Sequence, residues 1–189
     1  MSGYNPPVTV ISPEWDIDLL SYKKRLIDNL IWERHDTDKD KDRLECFIKS
    51  KDVANRPYLY NKNRGERPYY PQPITKELMD IWARVEAYTN SEYEVVFINC
   101  YLNGNAGMGW HFDNSPSIDQ SRRLAVLIIG DHHRTSFRSY VNQELVKEFT
   151  PVSGQILIME PNCNQLHQHM VSTIQSSEKR LSFVFRPIK

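Results

Sequence analysis

Cysteine is scarce in this chain. Cys46, Cys100 and Cys163 form an odd set of three with no C-x-x-C spacing, which argues against a disulfide framework and a cysteine zinc site and fits a reducing compartment. Net charge is absent too: 24 Lys plus Arg balance 24 Asp plus Glu. Any surface for a polyanion must therefore be local. The N-terminus lacks a basic stretch followed by an apolar run, and nowhere is there the run of roughly 18 apolar residues that marks a membrane helix. A cytoplasmic location without a membrane is expected, or a nuclear one in a eukaryotic cell. Repeats and low-complexity tracts are missing, and 189 residues suit a single domain.

What is present falls into two textures. Between Asp16 and Arg34, Leu19, Leu20, Leu26, Ile27 and Leu30 recur at helical spacing while Lys23, Lys24 and Arg25 face water. Leu78, Ile81, Trp82 and Val85 repeat the signal within 75–89, behind Thr75 as a cap. After Glu92 the chain turns to short β-branched and aromatic runs: YEVVFINCY, RLAVLIIG, TSFRSYV, QILIM and RLSFVFR. No helical segment separates them, so antiparallel jelly-roll pairing is expected rather than a parallel α/β sheet. The fold class predicted is mainly β with flanking helices (α+β). It is one domain over 1–189, with a helical extension over 1–92 and the jelly-roll core over 93–189. Between the helices, residues 51–67 carry Lys51, Arg56, Lys62, Arg64 and Arg67 against Asp52 and Glu66, interleaved with tyrosines. Such a segment suits phosphates and bases, or forms a solvated loop whose tyrosines pack on the sheet.

The stretch GWHFDNSP holds His111 and Asp113 two apart, hence on one side of an extended segment. A third ligand is needed. His132 and His133 read as an exposed turn after Gly130, whereas His167 and His169 share one side of a predicted strand and the period cannot separate them. Two histidines and a carboxylate on one face of iron leave three positions open, the arrangement of non-haem Fe(II) oxygenases. A chelating 2-oxo diacid fills two of these and O2 the third, and its far carboxylate calls for a cation. Arg180 and Arg186 of RLSFVFR lie on one side of a strand whose other side is Leu181, Phe183 and Phe185. Inward arginines on such a strand are costly unless they bind an anion.

In order and spacing, NCYLNGNAGMGWHFD, LAVLIIGDHHRTSFR, SGQILIM, the distal histidine and RLSFVFR resemble the AlkB family of Fe(II)/2-oxoglutarate dioxygenases over roughly residues 94–187. The first run is similar to that family's Asn-x-Tyr-x-x-Gly-x-x-x-x-x-Trp-His-x-Asp. The resemblance implies a double-stranded β-helix with N-terminal helices and a nucleotide-recognition lid. It implies His111, Asp113 and His169 as catalytic iron ligands, His169 being preferred because it stands ten residues after Met159 as the family's distal histidine does. Asn99 and Arg186 resemble partners of the cosubstrate's metal-side carboxylate, Tyr101 and Arg180 partners of its far carboxylate, with Ser182 between the arginines. Tyr58 and Tyr60 resemble lid residues that contact the substrate nucleotide, and Trp110 and Ser115 complete the substrate set. The chain departs from the family at two positions. Ser182 stands where many members have asparagine, and Ser115 where the repair enzymes usually carry an acid facing a cationic methylated base.

The expected activity is oxidative demethylation of alkylated DNA or RNA bases, using Fe(II), 2-oxoglutarate and O2 and releasing formaldehyde, succinate and CO2. The alternative is hydroxylation of a protein side chain, a modified nucleotide or a small metabolite. A monomer is expected, with nucleic acid as partner.

Overall fold

The structure is a computed structural model that describes residues 8–34, 42–49, 58–60 and 67–189, with 58–60 and 67–69 as backbone only. In chain order the elements begin with β1 (Val8–Ile11), α1 (Leu19–Asn29), β2 (Glu33–Arg34), β3 (Arg43–Lys49), β4 (Tyr58–Tyr60), β5 (Arg67–Tyr69) and α2 (Lys76–Thr89). They continue with β6 (Val95–Tyr101), β7 (Met108–His111), β8 (Leu124–Gly130), β9 (Thr135–Ser139) and β10 (Leu145–Phe149). Last come β11 (Ile156–Met159), α3 (Cys163–Leu166), β12 (His167–Val171) and β13 (Arg180–Arg186).

Two antiparallel sheets make the jelly roll. The larger has seven strands in the order β1-β11-β8-β13-β6-β3-β2, the smaller four in the order β10-β9-β12-β7. Alternation gives the larger sheet two faces. Ile48, Val96, Ile98, Leu127, Leu181, Phe183 and Phe185 turn to the helices, where they pack with Leu26, Leu78, Ile81 and Trp82. Phe47, Phe97, Ile128, Leu157 and Val184 turn to the smaller sheet and Phe137. Each fully buried side chain of this kind is worth about 1.5–3 kcal/mol, so the sheet is held from both sides.

The helices obey their caps. Asp18 accepts from the backbone N–H of Leu20 and Ser21 at 3.1 and 3.0 Å, and Thr75 accepts from Leu78 N at 3.3 Å. α2 ends on Asn90, left-handed at φ 47. The first helix is shorter than the 16–34 span expected. Leu30 is already extended, because Glu33 and Arg34 pair with Glu45 and Leu44 as a strand.

The sheet also reaches into the N-terminal half. β3 pairs with β6 along its whole length, and β1 pairs with β11. The expected helical extension over 1–92 thus supplies strands to the larger sheet. In the segment where a lid was expected, β4 and β5 form a two-stranded antiparallel pair. The basic residues Lys51, Arg56, Lys62 and Arg64 lie outside the described residues, as do the side chains of Tyr58, Tyr60 and Arg67. No helix among the described residues is long and apolar enough to cross a membrane.

Candidate active site

Strand register brings the two histidines together. β12 pairs with β7 so that His169 stands opposite His111, their ring centroids 4.1 Å apart. His111 ends β7, so His167, two residues before His169, has no partner position on that strand. Of the two histidines that periodicity left equivalent, register thus sets His169 beside His111. Asp113 follows on the extended segment, and ligand atoms of His111, Asp113 and His169 all lie within 4.8 Å of one another.

His111 and Asp113 are aimed by their surroundings. His111 Nδ1 lies 2.8 Å from the Gly109 carbonyl. It must donate there, which leaves Nε2 as the lone pair for a metal. Burial, and then His169, push His111 down to about 3, so the ring is neutral at pH 7. The Asp113 backbone is held from both sides: its N–H donates to Asn164 Oδ1 at 3.2 Å, and its carbonyl accepts from Gln120 Nε2 at 3.0 Å. Burial alone would raise the Asp113 carboxyl, but Arg186, followed by His169, holds it well below the usual carboxylate range. Arg186 Nη2 donates to Asp113 Oδ1 at 2.5 Å. Two imidazoles and an ionised carboxylate are the donor set that Fe(II) takes on one face.

A cavity between the sheets joins this cluster to the expected cosubstrate residues. Asn99, Tyr101, Arg180, Ser182 and Arg186 all line it with the three ligands. The cross-strand pairs Arg180–Tyr101 and Ser182–Asn99 put them on one face of β13 and β6. Arg180 is 1% exposed. Its guanidinium carbon sits 4.7 Å from the Tyr101 ring centroid and its side chain hydrogen-bonds Tyr101. Nε and Nη1 have no hydrogen-bond partner among the described residues. Buried charged donors of this kind call for an anion, and a carboxylate of 2-oxoglutarate fits them. Apolar Phe137, Met108 and Val171 wall the cavity beside the histidines.

The substrate residues divide differently. Trp110 alternates with His111 and so points away from the cavity, where Arg138 stacks over its ring at 4.4 Å and donates to Gln168. Trp110, expected among the substrate residues, thus lies outside the cavity lining because of strand alternation. Ser115 also lies outside the cavity lining, in a turn closed by Ile118 N donating to its carbonyl, with its hydroxyl 3.1 Å from that of Ser117. His132 is exposed as expected, but His133 is not a solvated turn residue. It is fully buried, its Nδ1 lies 2.8 Å from the Ser172 carbonyl, and its ring is 5.4 Å from that of Tyr101. The Ser172 carbonyl and the Tyr101 ring hold it there.

Arg43 and Glu45 of β3 were not anticipated. Both are buried, and Glu45 lines the cavity. The available signal was the alternation of Arg43, Glu45 and Phe47 with Leu44, Cys46 and Ile48, the same two-faced pattern as in RLSFVFR. Asn164 and Gln120 carry no sequence signal, since each acts on the Asp113 backbone from a loop or helix position that no periodicity marks.

Comparison with known proteins agrees with this geometry. The family profile described as 2OG-Fe(II) oxygenase superfamily matches residues 20–186. The alpha-ketoglutarate-dependent dioxygenase alkB homolog 3 of Homo sapiens is 26% identical over 141 residues, 70% of this chain and 48% of that protein. Its Bos taurus counterpart is 27% identical over 141 residues, 66% of this chain and 49% of its own length. The chain thus spans about half the length of these curated relatives. The solved structure of OsALKBH1 superposes with a TM-score of 0.65 at 13% identity, covering 97% of this chain and 98% of that one. An oxidoreductase of the 2OG-Fe(II) oxygenase family from Burkholderia pseudomallei gives 0.61 at 16% identity, covering 96% and 85%. At these identities the two structures speak for the jelly-roll fold. The chain belongs to the 2OG-Fe(II) oxygenase superfamily, and His111, Asp113 and His169 are a donor set that suits its Fe(II).

Proposed function

We propose that this dioxygenase oxidatively demethylates alkylated bases in nucleic acid. The carrying observation is the motif run from Asn99 to Arg186, similar in order to the AlkB family, whose side chains line one cavity. The basic, tyrosine-bearing segment 51–67 supports the same reading.

In this reading His111, Asp113 and His169 hold iron on one face. Arg180 and Tyr101 grip the far carboxylate of 2-oxoglutarate, and Asn99, Arg186 and Ser182 meet its metal-side end. When bound, iron with O2 and 2-oxoglutarate would supply oxidation of a methyl C–H bond, one oxygen atom going to the methyl carbon and the other to succinate as CO2 is lost, and the resulting N-hydroxymethyl group would release formaldehyde. The protein's share is orientation and exclusion of water. Phe137, Met108 and Val171 give a methyl carbon an apolar berth beside the histidines. Tyr58 and Tyr60, in the β4–β5 pair, would receive a base taken out of its stack.

Purified protein supplied with Fe(II), 2-oxoglutarate and methylated oligonucleotides is expected to release formaldehyde, and His169→Ala to release none. Succinate formed while a broad oligonucleotide panel stays unchanged would remove the reading. A second reading, hydroxylation of a protein side chain or small metabolite, is favoured by Ser115, which offers no charge to a cationic base and faces Ser117. A gel shift with single-stranded DNA separates the two, because phosphate contacts weaken steeply with salt.

A further inference from the structure

β3 runs beside β6 so that Arg43 is paired across from Tyr101 and Glu45 from Asn99. Arg43, Glu45 and Asn99 are 5%, 4% and 4% exposed. Arg43 Nη1 donates to Asn99 Oδ1 at 2.7 Å and also to Glu45 Oε1. A guanidinium has donors only. The Asn99 amide must therefore turn its oxygen to Arg43, which settles an orientation that would otherwise be free to flip. What remains for the cavity, lined by both Asn99 and Glu45, is the amide nitrogen, a donor.

We infer that Arg43, braced by Glu45, is a positioning residue for the cosubstrate: it locks the Asn99 amide so that its N–H faces the carboxylate of the keto acid. This rests on the reading of Asn99 as a cosubstrate partner. A carboxylate accepts hydrogen bonds and repels an amide oxygen, so only the locked orientation binds. Glu45 neutralises Arg43 locally, so the contribution of Arg43 is orientation rather than net charge, in contrast to Arg180. A buried ion pair is expensive to desolvate. A role in orientation accounts for its place on the cavity wall.

The test measures 2-oxoglutarate affinity of the manganese-loaded protein by calorimetry, without turnover. Arg43→Met combined with Glu45→Leu replaces the pair by apolar groups, leaving no lone buried charge. It is expected to weaken 2-oxoglutarate about tenfold, the lower end for residues that support a ligand indirectly, with manganese affinity unchanged. In an Asn99→Ala background the same double substitution is expected to have no further effect, which a general loss of packing would not reproduce. Arg43→Lys keeps the ion pair and the fold but lacks the planar fork, and is expected to weaken binding in the same direction. Unchanged affinity in the paired variant and in Arg43→Lys, or an equal loss with and without Asn99, overturns the inference. If Asn99→Ala itself leaves affinity unchanged, the reading of Asn99 fails and the inference falls with it. If Asn99→Ala weakens binding and the Arg43 variants do not, the inference alone falls.

Discussion

Asp113 is gripped at three points, through its N–H by Asn164, its carbonyl by Gln120, and its carboxylate by Arg186. The backbone grips set where the carboxylate can reach. Asn164→Ala is therefore expected to weaken Fe(II) or Mn(II) binding about 10–100-fold, measured by metal titration, with the melting temperature of the metal-free protein little changed. The histidine beside it makes a pH prediction. His111 titrates near an ordinary value of about 6.5 when unfolded and near about 3 when folded. Its folded pKa is depressed, so the unfolded chain binds more protons in this window and stability falls as pH drops from 6.5 toward 3. Denaturant titrations of the metal-free protein across that range should show the decline, and His111→Asn should flatten it. At this scale the sequence was most informative for residues whose spacing follows strand alternation, such as His111, Asp113, Arg180 and Arg186. It was silent on Asn164, 51 positions from Asp113, and on Gln120, 7 positions away across a turn, whose roles exist only once the chain folds around the Asp113 backbone.

Elements differed in legibility for a physical reason. β6, β8 and β13 are apolar on the helix side and crowded with β-branched and aromatic residues, so their runs are visible. β3 was hidden because its cavity face is charged, and charge in a strand reads as surface until a cavity is known to lie opposite. β10 is a polar edge strand with little apolar pattern. The helices were legible through period and caps, and their worth can be measured. Leu26→Ala, at a position 1% exposed against the sheet, is expected to cost about 2–5 kcal/mol. Asp18→Ala removes the α1 cap and is expected to cost about 1 kcal/mol. Urea unfolding of both variants checks the order, and a cap loss exceeding the cavity loss would contradict the packing described.

For the molecule as a whole, ligands that bind only the folded state raise its stability in proportion to the logarithm of their concentration. Manganese with 2-oxoglutarate at about 100 times its Kd is expected to raise the melting temperature by roughly 5–10 °C for a domain of this size. Arg180→Met should abolish the 2-oxoglutarate increment and keep that of manganese. A thermal melt series with each ligand alone and both together reads this directly.

β13 comes last in chain order yet lies in the middle of the larger sheet, between β8 and β6. While the nascent chain is still on the ribosome, every earlier strand can emerge and the sheet remains split, since its two halves meet only through this late arrival. The same strand carries Arg180 and Arg186. Closure of the larger sheet and arrival of the proposed keto-acid anchor are thus one event in biosynthesis, and in the proposed reading a chain without β13 would lack both arginines that meet the cosubstrate.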